Sequence, residues 1–395
     1  MRWGSTLSRA AGAADAFAEA ADAVVAQLEG AAPDLLLAFA SPHHAGGCDA
    51  VARLAAQRFP GALLVGCTGG GVIGGAREAE EGAALSLTAA ALPGAALSPL
   101  RLDPQALREG VPDAAGWRAR IGLDAAAAPK FLLLADPFTL EIQEVIDGLG
   151  AAYPGAPTFG GLASGGQVPG ENRLFLGPDV HRDGGVGVVF SGDLAVDTLV
   201  AQGCRPIGEP MVVTRCQRSL LQELDGRPPI DVLRELYRSL DVRDRELMEH
   251  SLFVGLEKRA GEADGERGEL LVRNLVGTDP RTGALAIGAE LMPLSVVQFV
   301  LRDAHSAEQE LRDLLVRHRR AAAGRPAGAL LFSCLGRGAG LFGHPDHDTS
   351  LFEEQLGPAP LGGFFCNGEI GPVGGTTFLH GYTSAFALFR EARST

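Results

Sequence analysis

Lysine is nearly absent from this chain. Of its 34 basic residues only Lys130 and Lys258 are lysines, so the other 32 are arginines. A Walker-type phosphate loop and a Schiff-base cofactor both need a well-placed lysine. Neither lysine lies in a glycine loop, since Lys130 precedes an apolar run and Lys258 adjoins the charged stretch Gly261–Gly268. Positive charge is scarce overall, with 34 basic against 48 acidic residues and a net charge of 34 − 48 = −14. Such a balance argues against neutralising nucleic-acid phosphates. The six cysteines, Cys48, Cys67, Cys204, Cys216, Cys334 and Cys366, contain no C-x-x-C pair. The opening Met1-Arg2-Trp3-Gly4 lacks the basic and apolar regions of a secretory signal, so a reduced, cytoplasmic protein is expected. Long apolar runs are missing too. The uncharged window Gly82 to Leu100 is broken by Pro93, Gly94 and Pro99, which predicts two short buried strands and no membrane span.

What is abundant is glycine, 54 of 395 residues, alongside 46% hydrophobic residues. The chain can bury large cores and needs many tight turns, and its length suggests two domains or coupled halves. Residues 11–29 carry Phe17, Val24, Val25 and Leu28 at helical spacing. A pattern then recurs. Leu35-Leu36-Leu37-Ala38-Phe39 reads as a strand buried on both faces, 47–58 as a helix, and Ala62 to Val65 as a strand running into Gly66-Cys67-Thr68-Gly69-Gly70-Gly71. Phe131 to Ala135, a helix over 139–150, and Pro157-Thr158-Phe159 repeat the order, ending in Gly160-Gly161-Leu162-Ala163-Ser164-Gly165-Gly166. Phe59-Pro60-Gly61 and Tyr153-Pro154-Gly155 fill the same slot in these two copies. A third copy is suggested by Ala329 to Ser333, a helix over 349–356, and Leu361 to Phe365 leading into Cys366-Asn367-Gly368-Glu369.

The middle differs. Gly185 to Phe190, Ala195 to Ala201 and Met211 to Thr214 read as antiparallel strands, followed by helices over 229–239 and 241–248. Leu252 to Leu256, Glu269 to Leu275, Ala284 to Ile287 and Val296 to Leu301 are further strands, with Gly261 to Gly268 as a hairpin tip. A helix follows over 303–323, and Thr377 to Phe389 reads as a hairpin turning at Gly381.

Several segments together resemble the FIST domain family. They are Val188-Val189-Phe190-Ser191-Gly192, Val200 to Gly208, Val212 to Arg215, Glu223-Leu224-Asp225-Gly226-Arg227-Pro228-Pro229, Phe332 to Gly338 and Gly363 to Pro372, with Val65 to Gly70 similar to the family's N-terminal glycine loop. The resemblance implies a FIST N-terminal domain over 30–228 and a C-terminal domain over 229–389. It also implies a sensory module for small ligands such as amino acids, one that often precedes bacterial output domains and in animals forms the recruiting part of an F-box protein. It supplies no catalytic residues. Residues 1–29 and 386–395 are too short for an output domain, so signalling is expected to pass to a separate protein.

The candidate chemistry sits in the glycine loops. Gly69-x-Gly71-x-x-Gly74 matches a dinucleotide fingerprint, yet the window Ala89 to Gly94 holds no acidic residue where the ribose partner belongs. A plain packing turn and a backbone-amide nest for a ligand both remain open. Arg337 and Glu369 each follow a buried strand in a glycine-rich turn. An Arg fork clamps a carboxylate and a carboxylate holds an ammonium, so the pair could read a zwitterion; they could equally hold loops, as could Asn367 and Arg205. On the first reading Arg337→Ala abolishes ligand binding and leaves the fold intact. Cys67 and Cys334 end strands and are candidate nucleophiles, although buried inert cysteine is the commoner case. His344-Pro345-Asp346-His347-Asp348 reads as a polar surface loop with Asp348 capping the next helix, and no metal or cofactor is expected. Arg317-His318-Arg319-Arg320 reads as a solvated helix end.

The resulting expectation is an α/β (or α+β) protein of two tightly packed halves with mixed sheets flanked by helices, for which an αββα sandwich is one arrangement. The expected ligand site comprises Cys67, Thr68, Gly69, Gly70, Gly161, Ser164, Cys334, Arg337, Gly338, Asn367, Gly368 and Glu369. A cysteine-dependent enzyme and a protein-recruiting scaffold are the alternatives to a small-ligand sensor.

Overall fold

The structure is a computed structural model and describes residues 1–257, 270–322 and 324–392. Lys258 and the hairpin tip expected over Gly261 to Gly268 lie outside the described residues. Residues 1–200 and 312–395 form one compact unit and residues 201–311 another.

Three copies of one motif build the first unit. The first comprises strand Leu35–Ala40, helix Cys48–Arg58, strand Leu63–Thr68, hairpin Val72–Gly74/Arg77–Ala79 and strand Leu85–Ala91. The second comprises Lys130–Ala135, Ile142–Ala152, Thr158–Leu162, Leu174–Leu176/Asp179–His181 and Gly185–Gly192. The third runs Gly328–Cys334, His347–Leu356, Leu361–Cys366, Glu369–Val373/Thr376–His380 and Ser384–Glu391. In every copy the first two strands pair in parallel and the last returns antiparallel to the first.

The hairpins change places. The first copy's hairpin pairs with the third copy's second strand, the third copy's with the second copy's, and the second copy's with the first copy's. This cyclic exchange yields three six-stranded mixed sheets, each completed by an outer strand beside the returning one: Arg2–Ser8, Ala95–Leu102 and Leu194–Ala201.

Burial explains why the central strands read as unbroken apolar runs. Leu35, Leu37, Phe39, Leu132, Leu134, Leu330 and Phe332 face one shared core, joined by Phe159, Phe190, Phe364 and Phe389. The alternate residues Leu36, Ala38 and Ala40 meet helices Ala13–Gln27 and Cys48–Arg58 on the other face, and Phe131, Leu133 and Ala135 meet Ile142–Ala152. On the third sheet Phe352 of helix His347–Leu356 stacks on Phe386 with ring centroids 5.6 Å apart. The mixed sheets flanked by helices are as expected; three sheets, where a four-layer sandwich has two, share the core.

One glycine recurs at the same place in each copy. Gly66, Gly160 and Gly363 lie opposite Ala38, Leu133 and Leu331 in the three parallel ladders. A Cβ at any of them would sit 1.8 Å from the opposing carbonyl oxygen. The repeat visible in the sequence is therefore a repeat of packing constraints.

Two sequence readings need correction. Thr376–His380 and Ser384–Glu391 are strands, but not a hairpin: the former pairs with Glu369–Val373 and the latter with Gly328–Cys334, in different sheets. Of the strands in the uncharged window, Leu85–Ala91 is fully buried, whereas Ala95–Leu102 is a partly exposed edge strand.

The second unit is a closed antiparallel barrel of six strands, in the order Cys204–Gln217, Leu220–Leu224, Leu285–Ile287, Leu270–Thr278, Leu252–Glu257 and Val296–Arg302. Val213, Leu221, Leu224, Val254, Leu285, Val297 and Phe299 fill its core. The helices expected beside it run Pro229–Ser239 and Val242–His250. Arg205 is spent on structure here: its Nε donates to Asp303 Oδ2 at 3.0 Å and its Nη2 to Asp244.

Candidate functional site at the strand ends

The carboxyl ends of the parallel strands meet in the first unit. Ser164 N and Gly165 N donate to Thr68 O at 3.2 and 3.3 Å. Leu162 N donates to Gly368 O at 2.8 Å, and Asn367 N returns to Leu162 O at 3.0 Å. Phe365 N donates to Gly71 O at 3.0 Å. Ser164 Oγ accepts from Gly70 N at 2.8 Å and donates to Phe365 O. Each copy's turn is thus tied to the others, and the turns from all three expected loops lie side by side.

The glycines here are packing residues first. A Cβ on Gly70 would meet Leu335 Cδ2 at 2.6 Å, and one on Gly161 would meet Cys366 Sγ at 2.4 Å. After Gly69-Gly70-Gly71 the chain enters strand Val72–Gly74, not a helix. A dinucleotide fingerprint needs the helix N-terminus, so that reading has no structural basis. Thr68 is buried in a polar network: Arg173 N donates to its Oγ1 at 3.0 Å, and Asn172, its partner at 3.2 Å, donates to Asp136 Oδ1 at 2.8 Å. Asn367 and Leu335 are exposed, and Gly70, Ser164 and Cys334 are half-buried. Cys67 is fully buried, and burial pushes its thiol well up, which disfavours a nucleophilic thiolate.

Arg337 and Glu369 both point inward. Glu369 is fully buried and accepts from Thr383 N at 3.1 Å and Thr383 Oγ1 at 2.9 Å. Arg337, 1% exposed, forks onto Asp348, with Nε to Oδ2 at 2.8 Å and Nη2 to Oδ1 at 2.9 Å. His347 Nδ1 lies 3.0 Å from Asp348 Oδ1, and Ser333 Oγ donates to Oδ2 at 3.3 Å. Burial opposes the charge on Asp348, but the Arg337 guanidinium and His347 hold its carboxyl well below the usual carboxylate range.

The surface-loop reading of 344–348 is therefore corrected. His347 and Asp348 are buried, and Asp348 lies inside the first turn of helix His347–Leu356, whose N-cap residue is Asp346. The expectation overlooked Glu78. It arrives on the exchanged hairpin, is 5% exposed, and accepts from Thr349 N at 2.9 Å, while its own N–H donates to Asp346 Oδ1 at 2.6 Å. Glu80, one residue past that hairpin, accepts from Ala339 N at 2.9 Å beside Gly338. Nothing local marks these acids, because their partners lie some 260 to 270 residues away in sequence.

Burial, reinforced by the neighbouring Asp348 carboxylate, pushes Glu78 up to about 8. In the unfolded chain it ionises near 4.5. Below that pH both states are protonated and the group's stabilisation is complete. As the pH climbs towards 8 the unfolded chain gains by ionising while the folded chain holds its proton, so stability is lost. Glu78→Gln keeps an acceptor for Thr349 N and removes the titration. Melting temperatures of this variant should rise relative to the parent chain as the pH increases from about 4.5 to about 8. Parallel curves across that range would show that Glu78 does not hold its proton.

Among the described residues no helix is long and apolar enough to cross a membrane, and no group of three His, Cys, Asp or Glu side chains is placed to hold a metal.

Comparisons with known proteins bear on this arrangement. The FIST N domain matches residues 34–227 and the FIST C domain residues 229–372. An uncharacterized protein of Mycobacterium tuberculosis is 39% identical over 390 residues, covering 98% of this chain and 100% of the relative. One of Mycobacterium bovis is 38% identical over 389 residues, covering 98% and 99%. An F-box/LRR-repeat protein of Arabidopsis thaliana is 27% identical over 199 residues, 45% of this chain and 36% of its own. Among solved structures, a cyanuric acid hydrolase from A. caulinodans aligns over 99% of this chain and 100% of its own at 9% identity and a TM-score of 0.33, too slight a likeness to bear on fold or activity. With two family domains spanning most of its length and full-length relatives above 30% identity, the chain belongs to the FIST family, whose domains are generally sensory, ligand-binding modules of signal transduction.

Proposed function

We propose that this chain is a cytoplasmic sensor that binds a small ligand, an amino acid or a related carboxylate, on the joined turns of its three copies, and passes the signal to a separate protein. The observation that carries this reading is the meeting of three strand-end turns at one place, the position at which α/β sheets bind ligands. Exposed Asn367 and Leu335 offer a donor amide and an apolar edge there, beside Ser164, whose hydroxyl ties the Gly70 and Phe365 turns together. Arg337 serves this site by holding the 335–338 turn, its fork being taken by Asp348. Glu369, held by Thr383, anchors the neighbouring turn.

A thermal-shift screen against amino acids and small carboxylates tests the proposal. A cognate ligand at about 100 times its Kd stabilises by about 2.7 kcal/mol, or roughly 5 °C for a unit of this size. Asn367→Ala, at an exposed position, should keep its unliganded melting temperature and need at least tenfold more ligand for the same shift. No shift with any such compound, or an undiminished response in the variant, would defeat the reading.

A further inference from the structure

We propose that Cys334 and Cys366 form a redox-responsive dithiol, closed to a disulfide by a peroxide and reopened by a small thiol. The two residues are register partners in the parallel ladder between Gly328–Cys334 and Leu361–Cys366. Neighbouring strands lie about 4.8 Å apart, inside the window of about 4.4 to 6.8 Å that a disulfide's Cα atoms occupy.

Both side chains also share a face. Leu330 and Phe332, at the same parity as Cys334, point into the shared core, as do Phe364 and Cys366. Ser333, at the opposite parity, reaches the other way to Asp348 on the covering helix. In the dithiol state Cys366 Sγ fills the place left by the missing side chain of Gly161 and donates to Phe364 O at 3.6 Å.

The pair is asymmetric: Cys334 meets the oxidant, and Cys366 keeps its proton until the second step removes it. Cys334 is half-exposed, and Gly336 N donates to its Sγ at 3.4 Å, which favours developing negative charge on sulfur. Cys366 is fully buried, and burial followed by the nearby Glu369 carboxylate pushes its thiol well up. It is shielded from oxidants, and its partner alone is open to attack.

Two balanced steps follow. The Cys334 thiolate attacks one peroxide oxygen, the O–O bond breaks, and the departing hydroxide takes up a proton, leaving Cys334 sulfenic acid and water. The Cys366 sulfur then attacks the Cys334 sulfur. The S–O bond breaks, the S–S bond forms, and the hydroxide leaves with the Cys366 proton as a second water. Two thiols have lost two electrons to one hydrogen peroxide, and two equivalents of a small thiol reverse the change by exchange. The bond ties the 335–338 turn to the 367–369 turn. The proposal does not depend on what ligand those turns take.

The test treats the full chain with a small molar excess of hydrogen peroxide, then alkylates it under denaturing conditions for intact mass and peptide mapping. The expected result is a fall from six alkylated thiols to four, with the peptides carrying Cys334 and Cys366 joined, two hydrogens lost, and all six thiols restored by dithiothreitol. Cys334→Ser should keep its five remaining thiols. Cys366→Ser should stop at a sulfenic acid on Cys334 that dimedone traps. A bond from either cysteine to Cys67, or Cys334 advancing to sulfinic acid while Cys366 is still alkylated, would overturn the proposal. If Cys366→Ser does not fold, the peptide map of the parent chain and the Cys334→Ser variant decide alone.

Discussion

Arg337→Ala should destabilise the fold by about 3–5 kcal/mol, because it strands a buried carboxylate. Asp348 is 2% exposed, and the Arg337 fork supplies its closest hydrogen bonds, at 2.8 and 2.9 Å. His347 and Ser333 at 3.0 and 3.3 Å are weaker support. The loss would be read as a lower urea midpoint at an unchanged m-value. Arg337→Lys, which keeps the charge and loses the fork, should fall in between. The double change Arg337→Met with Asp348→Leu removes both charges, and should recover most of the loss, since an apolar pair of similar volume is often as stable as a buried ion pair. If Arg337→Ala unfolds at the parent midpoint, the pair contributes nothing. That outcome would restore the expectation drawn from sequence, in which Arg337 reads a ligand and its loss spares the fold.

Alanine at Gly66, Gly160 or Gly363 should be comparably damaging, on the order of 3–5 kcal/mol at each position. The cause is the 1.8 Å approach of the new Cβ to the carbonyl oxygen of Ala38, Leu133 or Leu331. The oxygen is backbone in the middle of a sheet and the backbone fixes the Cβ position, so no side-chain rotation relieves the clash. The control is built into the same copies. Gly61 and Gly155, in the turns before the second strands, have φ of +91° and +76° with nothing within 4 Å. Alanine there costs only the left-handed conformation, roughly 1–2 kcal/mol. Denaturant titration of the five variants separates the two groups. Mild effects at the ladder positions, or one tolerant copy among three, would show that the copies do not share this constraint.

The elements legible in sequence were those whose signal is local. Leu35 to Phe39 and Phe131 to Ala135 read as doubly buried strands because helices cover one face and a common core takes the other. The glycine loops were expected to meet, but what joins them is the exchange of hairpins between three sheets, not a shared sheet edge. Pairing across copies was not legible. Ser384–Glu391 follows Thr376–His380 after a short turn containing Gly381, which is what a hairpin looks like, yet it returns to a strand more than fifty residues upstream. The inward aim of Arg337 was hidden for the same reason. Its partner sits eleven residues on, beyond the short helix Ala339–Phe342, and the acid beside that partner, Glu78, comes from the opposite end of the chain.

The exchanged hairpins set a timetable for synthesis. Val72 pairs with Phe364, 364 − 72 = 292 residues later in the chain. At roughly 5–20 residues per second a ribosome takes about 15–60 s to make that span. Throughout that interval the first copy carries a hairpin whose partner strand does not yet exist, and unpaired strand edges invite wrong partners. The nascent chain has to wait with that edge open until the third copy is made and closes the cycle of exchanged hairpins.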